Sequence, residues 1–535
     1  MAFAANNTQQ LTLTDSTFQL TERENRFLEK SWAKAFADKI FPAIDESIFS
    51  VLYSDKASRP NTPVNVIIGA LILKEAFGDT DEEVMEALMF DLRYQYALHT
   101  TSCKEQPLSD RTLSRFRARC LAYETENGID LIHKCITGMA EELAEFMNIT
   151  PQMRRMDSIM VAANIKNLSV LELFYTCAAN LAKVMEQRKV SVPERLRHYL
   201  EKDDTNQYLY HKKEGSIEEK ILTIMREAET LISLCDATGA FDDTSEYQLL
   251  IRLMKERTIM DDDGKRRLRR KEEIEEPSKT LPNPSDPEAT FRSKGGKKHI
   301  GYVGNVVEGV GEKGSLVMDY AYEQNLYSDS QFLKDYLAGQ PVYEEEVTTV
   351  ADRAYGGEGN RKEAAKHNIK LITTNLTGNR PDEIYADFEF TQDGKQLLKC
   401  IHGQVPLKCT YNARSERSGA CFPIQACQNC PYRDRCRPRM FKNTALKEIC
   451  WKTAERAKQI RYMQTEEFRK YTCFRNGVET IPSLLRRKYH VDKIPAHGTK
   501  RTRLHFGFKI GALNFQKLLT YIDRVERCAL QKETA

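Results

Sequence analysis

No stretch of this 535-residue chain is long and apolar enough to cross a bilayer. The strongest run, Val64 to Leu73, is interrupted by Asn65 and falls far short of the ~20 residues a spanning helix needs. The N-terminus, MAFAANNTQQ, lacks a basic region followed by an apolar run, so no signal peptide is expected. Without an export signal the 14 cysteines argue against a disulfide framework. No Gly-Lys-Ser/Thr follows Gly356-Gly357-Glu358-Gly359, which excludes a phosphate loop there. What is present is 41% hydrophobic and 29% charged, with 26 Gly and 18 Pro. That is too apolar for a disordered chain and long enough for two to four domains with their own cores.

The net charge of +3 conceals an asymmetry. From Cys421 to Ala535 there are 25 Lys and Arg against 10 Asp and Glu, a net of +15, which leaves 55 against 67, a net of −12, elsewhere. Clustered cations suit phosphate neutralisation, and a solvated tail is the plain alternative. The basic residues alternate with Trp451, Tyr462, Phe468, Tyr471, Phe474, Tyr489, Phe506 and Phe508, a pattern that favours a folded nucleic-acid surface.

Residues 1–150 read as a helical domain, with apolar residues at helical spacing and a capped turn at Gly78-Asp79-Thr80-Asp81. A second start, PLSDRTLSRFRARCL, carries Arg111, Arg115, Arg117 and Arg119. Short helices with an Arg-rich last member fit a helix-turn-helix-like DNA-binding unit, or equally a plain bundle with a snorkelling Arg face. After a break at Pro151, residues 151–167 hold a strand containing Asp157. Residues 168–280 return to helix and end in a charged run and a link rich in proline (Pro277, Pro282, Pro284, Pro287). The stretch Lys265 to Lys271 reads as solvated linker. Residues 281–380 change character: two strands joined by a Gly311–Gly314 hairpin turn, a helix, a strand ending at Asp352, a Gly-rich turn, a helix and a further strand. Residues 381–455 are Cys-rich, and residues 456–535 form a basic C-terminal segment.

Three acids stand out. Asp352 closes a strand beside Arg353-Ala354-Tyr355-Gly356-Gly357, where α/β sheets place ligands. Asp157 sits on the other isolated β-like segment. Glu479 lies four residues after Arg475 and seven before Arg486, so a continuous helix places all three on one face, opposite Val478, Ile481 and Leu485. Two Asp and one Glu make a hard-oxygen set suited to Mg²⁺ or Mn²⁺ and to phosphodiester chemistry, although most strand-end aspartates are only turn residues. His299 reads as a strand-edge polar group, and Lys297 and Lys298 as either phosphate contacts or solvated edge.

The segments RMDSIMVAAN, DPEATFRSKGGKKHIGYVGNVVEG, VTTVADRAYGGEGN with IKLITTN, and FRNGVETIPSLLRRKYH with RTRLHFGFKIGALNFQKL together resemble the DDE transposases of bacterial insertion sequences, the eleven-eighty-two type. RPNTPVNVIIGALILKEAFGDTDEEVMEAL and LSDRTLSRFRARC resemble the helical end-binding region of the same proteins, so the likeness runs from about Phe36 to about Leu519. It implies a mixed α/β, RNase H-like core with a helical N-terminal domain, a helical insertion and a Cys-rich insertion. It further implies Asp157, Asp352 and Glu479 as catalytic ligands of two divalent ions, Mg²⁺ or Mn²⁺. Arg475 and Arg486 take the basic positions flanking the family's Glu, and Arg487, Lys488, Arg111 and Arg115 complete the expected DNA contacts. The partners implied are double-stranded element ends and target DNA, bound by a homodimer, in a cytoplasmic, nucleoid-associated protein with no membrane contact.

Two departures bear on Glu479. The signature's Tyr position holds Thr472, with Tyr471 one place off, and Pro482 sits three residues after the acid, where a helix interior resists it. Glu466 and Glu467 are the alternative acids. Cys421, Cys427, Cys430 and Cys436 read C-x5-C-x2-C-x5-C, and four thiolates close a structural Zn²⁺ tetrahedron. The spacing is not that of a two-knuckle ribbon, so Cys400 or Cys409 could replace one ligand; a metal-free loop is the alternative. The other cysteines (Cys103, Cys120, Cys135, Cys177, Cys235, Cys450, Cys473, Cys528) read as scattered small hydrophobes. The function expected is a transposase. A metal-dependent nuclease on the same core and an inactive, zinc-stabilised DNA-binding descendant are the alternatives.

Overall fold

The computed structural model describes all residues except 7–14, 55, 57–58, 151, 203–207, 210–215, 295, 375–379 and 534–535. The break expected at Pro151 lies outside the described residues. The chain divides into two compact units. One comprises Met1–Met153, Asp157–Phe332 and Ile481–Ala535; the other comprises Arg154–Met156 and Leu333–Thr480.

In the first unit the apolar run of the sequence is helix α1 (Val64–Phe77), buried on nearly every side, as a helix apolar all round must be. Gly78 ends it at φ +80°, and Thr80 then opens α2 (Asp81–Phe90) through a reciprocal cap with Glu83. Helices α3 (Thr112–Asn127) and α4 (Leu131–Phe146) follow. Strand β1 (Met153–Ala162) leads into a separate helical body of α5 (Val170–Gln187), α6 (Ile217–Thr238) and α7 (Ser245–Arg257). Its core joins Phe174, Leu181, Tyr199, Leu231, Leu250 and Leu253, so the helices expected after the first strand do pack together.

The stretch expected as solvated linker is folded. Thr258–Met260 and Arg266–Leu268 form an antiparallel hairpin. Arg267 pairs with Glu273 at 2.8 Å, and Arg269 donates to the Thr258 and Glu273 carbonyls. A run of cations reads as solvated until a distant acid, Glu229 paired with Arg266, joins the nearby Glu273 alongside it.

Strands β2 (Lys297–Val310) and β3 (Ser315–Gln324) pair antiparallel across the expected turn, where Gly311 N–H donates to the Gly314 carbonyl. The short strand Thr290–Lys294 pairs with the start of β2. A Cβ at Gly301 (φ +147°) would meet the Val161 carbonyl at 2.3 Å, so only glycine lets β2 pass β1 this closely.

The C-terminal helix, Thr499–Glu533, packs on α1, α4 and β3. A Cβ at Gly511 would lie 2.9 Å from Ile136 and 3.3 Å from Ile72, so this glycine sets the approach to α4 and α1. Buried Asn514 takes the Val317 N–H and donates to the Val317 carbonyl, 2.9 and 2.8 Å, tying the helix to β3. Glu75 of α1 is buried with Lys74, His505 and Lys509 around it.

In the second unit β4 (Val347–Ala351), helix α8 (Glu358–Lys366) and β5 (Ile369–Thr373) form a strand–helix–strand crossover with the two strands parallel. Every residue of β4 is buried, the pattern of a strand covered on both faces. A small antiparallel sheet follows: β6 (Lys408–Asn412), β7 (Arg417–Pro423) and β8 (Thr444–Ile449), with the two-residue strand Arg439–Met440 at the far edge. Helices α9 (Trp451–Tyr462) and α10 (Glu466–Asn476) complete the unit. Phe468 of α10 is buried against Val350 and Ile372, so α10 covers the strand that carries Asp352 at its end.

Candidate active site and nucleic-acid interface

Asp352 is the residue after β4, half-buried, and its carbonyl accepts from Tyr355 N–H at 3.1 Å in the turn Arg353–Tyr355. Asn360 donates to the Tyr355 carbonyl at 2.7 Å, which fixes the turn to the start of α8. A Cβ at Gly356 would lie 3.1 Å from the Arg353 carbonyl and 3.2 Å from Thr373, so a side chain there would crowd the turn against β5. No side-chain hydrogen bond or ion pair among the described residues involves the Asp352 carboxylate.

One residue beyond Asp352 a cleft of about 620 Å³ opens, walled by the β4–α8 turn and α8 on one side and by α9 on the other. Arg353, Arg361, Lys452, Arg456 and Lys458 supply five cations to its lining, against Glu358 and Glu455. Both acids are engaged, Glu358 with Lys362 at 2.7 Å and Glu455 with Lys458 at 2.8 Å. Burial and the charge of Arg456 push the Arg361 guanidinium below its ordinary pKa, the signature of two like charges held side by side in one cleft. Trp451 and Tyr462 stand in the same lining. Cations tracking a groove with aromatic rings among them suit a nucleic-acid strand, because phosphates pair with the first and bases stack on the second.

Asp157 is half-buried on β1 and takes the Ser158 N–H at 3.0 Å. Glu479 is exposed and pairs with Arg475 at 2.7 Å, as the four-residue spacing predicts. The continuous helix expected from Arg475 to Arg486 does not form. α10 stops at Asn476, Gly477–Glu479 is a 3₁₀ turn, and a new helix runs Thr480–Arg487. That break removes the conflict over Pro482, which falls in the first turn of the new helix where no backbone donor is needed. Arg486 instead donates to the Met160 carbonyl at 2.7 Å and faces Asp492 at 3.4 Å. Of the alternative acids, Glu467 takes a hydrogen bond from Tyr462 Oη at 2.9 Å, and burial together with Glu467 pushes that phenol up to about 12.

Arg111, just before α3, and Arg115 within it are exposed, Arg115 opposite the buried Leu113, Phe116 and Cys120. Arg117 is spent on Asp81 at 3.1 Å, and Arg119 lies over the Tyr53 ring, 5.3 Å from its centroid. Arg487 and Lys488 are exposed, Lys488 bonded to Gln516. His299 sits on β2 opposite Arg292, a strand position as expected.

The structure gathers Cys427, Cys430 and Cys436 with Cys400 around one small cavity. Cys421 is on β7, paired with Lys408 and Leu446. Among the described residues no group of three or more His, Cys, Asp or Glu side chains could hold a metal ion, so the zinc site expected at Cys421, Cys427, Cys430 and Cys436 is not formed. Carboxylates such as Asp157, Asp352 and Glu479 are nonetheless the donor chemistry that Mg²⁺ and Mn²⁺ prefer, and one Glu479 oxygen is taken by Arg475.

The cleft was not legible in sequence. Trp451, Arg456 and Tyr462 lie at helical spacing within a basic, aromatic stretch and could be flagged. Arg353 and Arg361 come from a segment with no charge excess, and only the fold brings them opposite α9.

A strand-end acid thus lies one residue from a cationic cleft that holds aromatic rings. Residues 400–519 match the family model of the transposase DDE domain, and residues 25–119 match that of a transposase domain (DUF772). The two matches support a DDE transposase of the insertion-sequence type; the DDE domain implies an RNase H-like core, and its family generally uses divalent metal ions. The DDE match takes in Glu479 and the cysteine-bearing sheet; the second takes in Arg111 and Arg115. No curated protein and no solved structure matches the chain. No helix of the described residues is long and apolar enough to cross a membrane.

Proposed function

We propose that this transposase binds the terminal inverted repeats of its own element and performs metal-dependent strand cleavage and transfer. The observation that carries the reading is Asp352 at the end of β4, one residue from a cleft lined by five cations and two aromatic rings. Asp157, Asp352 and Glu479 would hold Mg²⁺ or Mn²⁺, which supplies activation of the attacking water or 3′-hydroxyl and charge neutralisation on the phosphate. Arg353, Arg361 and Arg456 grip backbone phosphates so that the scissile bond is held at the strand end, and Trp451 stacks a base. Arg475 holds the Glu479 carboxylate in place through its 2.7 Å contact. The exposed Arg111 and Arg115 at the start of α3, with Arg487 and Lys488, contact the double-stranded ends, and two copies pair two ends.

The test is a cleavage and joining assay on the gene with its flanking DNA, with Mg²⁺ or Mn²⁺, beside Asp352→Ala. Cuts at the element ends and joined products that vanish in the variant are the expected outcome. Cleavage without joining would make the protein a nuclease. Binding with no cleavage by either protein would refute the catalytic reading.

A further inference from the structure

The outward face of α3 is cationic at its start and small along its length. Arg111, Arg115, Ala118 and Ala122 recur at helical spacing, Ser114 and Thr125 flank them, and all six are exposed. From Ser114 to Glu126 this face walls a groove of about 1650 Å³. Lys279, the loop at 285–288, the end of β3 with residues 325–327, and the start of the C-terminal helix enclose the rest, all within the first unit.

The charges of the groove divide by whether another group already holds them. Arg117 is spent on Asp81, Arg503 on Glu124 and Glu323, and Lys279 on Glu276. Buried Asp286 takes the Gly498 N–H at 3.1 Å, and Glu288 takes the Thr499 N–H at 2.8 Å. Two carboxylates therefore close the N-terminus of the C-terminal helix, which has nothing left to offer an anion. Side chains remain. Lys500 Nζ donates to Thr125 Oγ1 at 3.2 Å and meets no acid, and Arg501 is exposed with no ion pair among the described residues. Arg111 and Arg115, which continue the α3 face beyond Ser114, make none either. Four uncommitted cations thus stand along one groove and its extension, against a single uncommitted acid, Glu126.

That balance selects the occupant. A docked protein segment is held by long or aromatic anchors, and the exposed face of α3 has none. A polyanion needs cations at the sides and a floor low enough to approach, and Ser114, Ala118, Ala122 and Thr125 supply the floor. Side chains this short do not reach base edges in a DNA groove, so they admit a phosphate backbone without reading it.

We propose that this groove takes duplex DNA by its sugar-phosphate backbone and irrespective of sequence, with Lys500 and Arg501 on one side and Arg111 and Arg115 on the other. The inference rests on the DNA reading above and deepens it. Phosphate contacts here set the position of the duplex, and recognition of the element ends falls to other side chains.

The test is fluorescence anisotropy of the full chain across a salt series, without divalent metal, on two labelled duplexes of equal length. One carries the flank of the gene and the other an unrelated sequence. The double variant Lys500→Ala, Arg501→Ala should weaken both by the same factor and lower the slope of log affinity against log salt by about two. Ala118→Glu, a good helix former at an exposed position, should weaken both in equal proportion. Glu126→Gln should tighten both, a gain that misfolding does not mimic. A loss confined to the gene's flank would make these residues sequence readers and overturn the proposal. So would a double variant with wild-type affinity and slope on both duplexes, or unchanged binding in Ala118→Glu or Glu126→Gln. Wild-type protein that binds neither duplex would instead overturn the DNA reading itself, and this groove with it.

Discussion

Replacing Glu75 with glutamine removes the carboxylate on which Lys74, His505 and Lys509 converge inside the helical unit. Burial alone would raise the pKa of this acid, but His505, Lys509 and Lys74 outweigh it and hold the carboxyl at about 2. Against an ordinary value of 4.5, that depression corresponds to about 3 kcal/mol of folding free energy at neutral pH. Glu75 and Lys509 are both almost wholly buried, so solvent screening takes little from the figure. Because the folded pKa is depressed, the contribution is fully present above 4.5 and is lost as pH falls through about 2. His505 acts in the same direction. Burial, with Arg117 and Lys74, pushes its pKa below 6.5, so it too costs stability as the solution is acidified below that value. Urea denaturation of wild type and Glu75→Gln should therefore show a gap of about 3 kcal/mol at neutral pH that narrows to about 2 kcal/mol near pH 3.5. A gap below about 1 kcal/mol at neutral pH, or one that does not change on acidification, would refute the reasoning.

Two further outcomes follow from the geometry. Arg361→Ala and Arg456→Ala should each weaken DNA binding and lower the slope of log affinity against log salt by about one, measured by fluorescence anisotropy, and an unchanged slope would place the DNA elsewhere. Gly511→Leu should destabilise the protein by about 2 kcal/mol in thermal or urea unfolding, because the added side chain must displace Ile136 and Ile72 from a packed helix crossing.

Local signals carried much of the fold. The reciprocal caps at Thr80, Ser169 and Ser216 mark the starts of three helices through residues three apart. The Gly311–Gly314 turn and the strand–turn–helix–strand run around Asp352 are equally local. The 3₁₀ break at Gly477–Glu479 was less visible. Helical periodicity places Arg475, Glu479 and Arg486 on one face only if the helix is uninterrupted, and Pro482 was the sole warning that it is not.

What the sequence by itself determined is whatever depends on neighbours within a few residues: helix starts and stops, the hairpin, the strand-end position of Asp352, the Arg475–Glu479 pair, and the separation of Cys427 from Cys430. Tertiary structure alone decided which distant groups share a site. It set Arg361 beside Arg456, paired the cations of Arg266–Leu268 with acids that turned a presumed linker into a hairpin, and turned Cys421 away while bringing in Cys400. The physical reason is that backbone hydrogen bonding and side-chain alternation are short-range, whereas like charges and thiols meet across a cleft or cavity only after burial of apolar surface has fixed the elements that carry them.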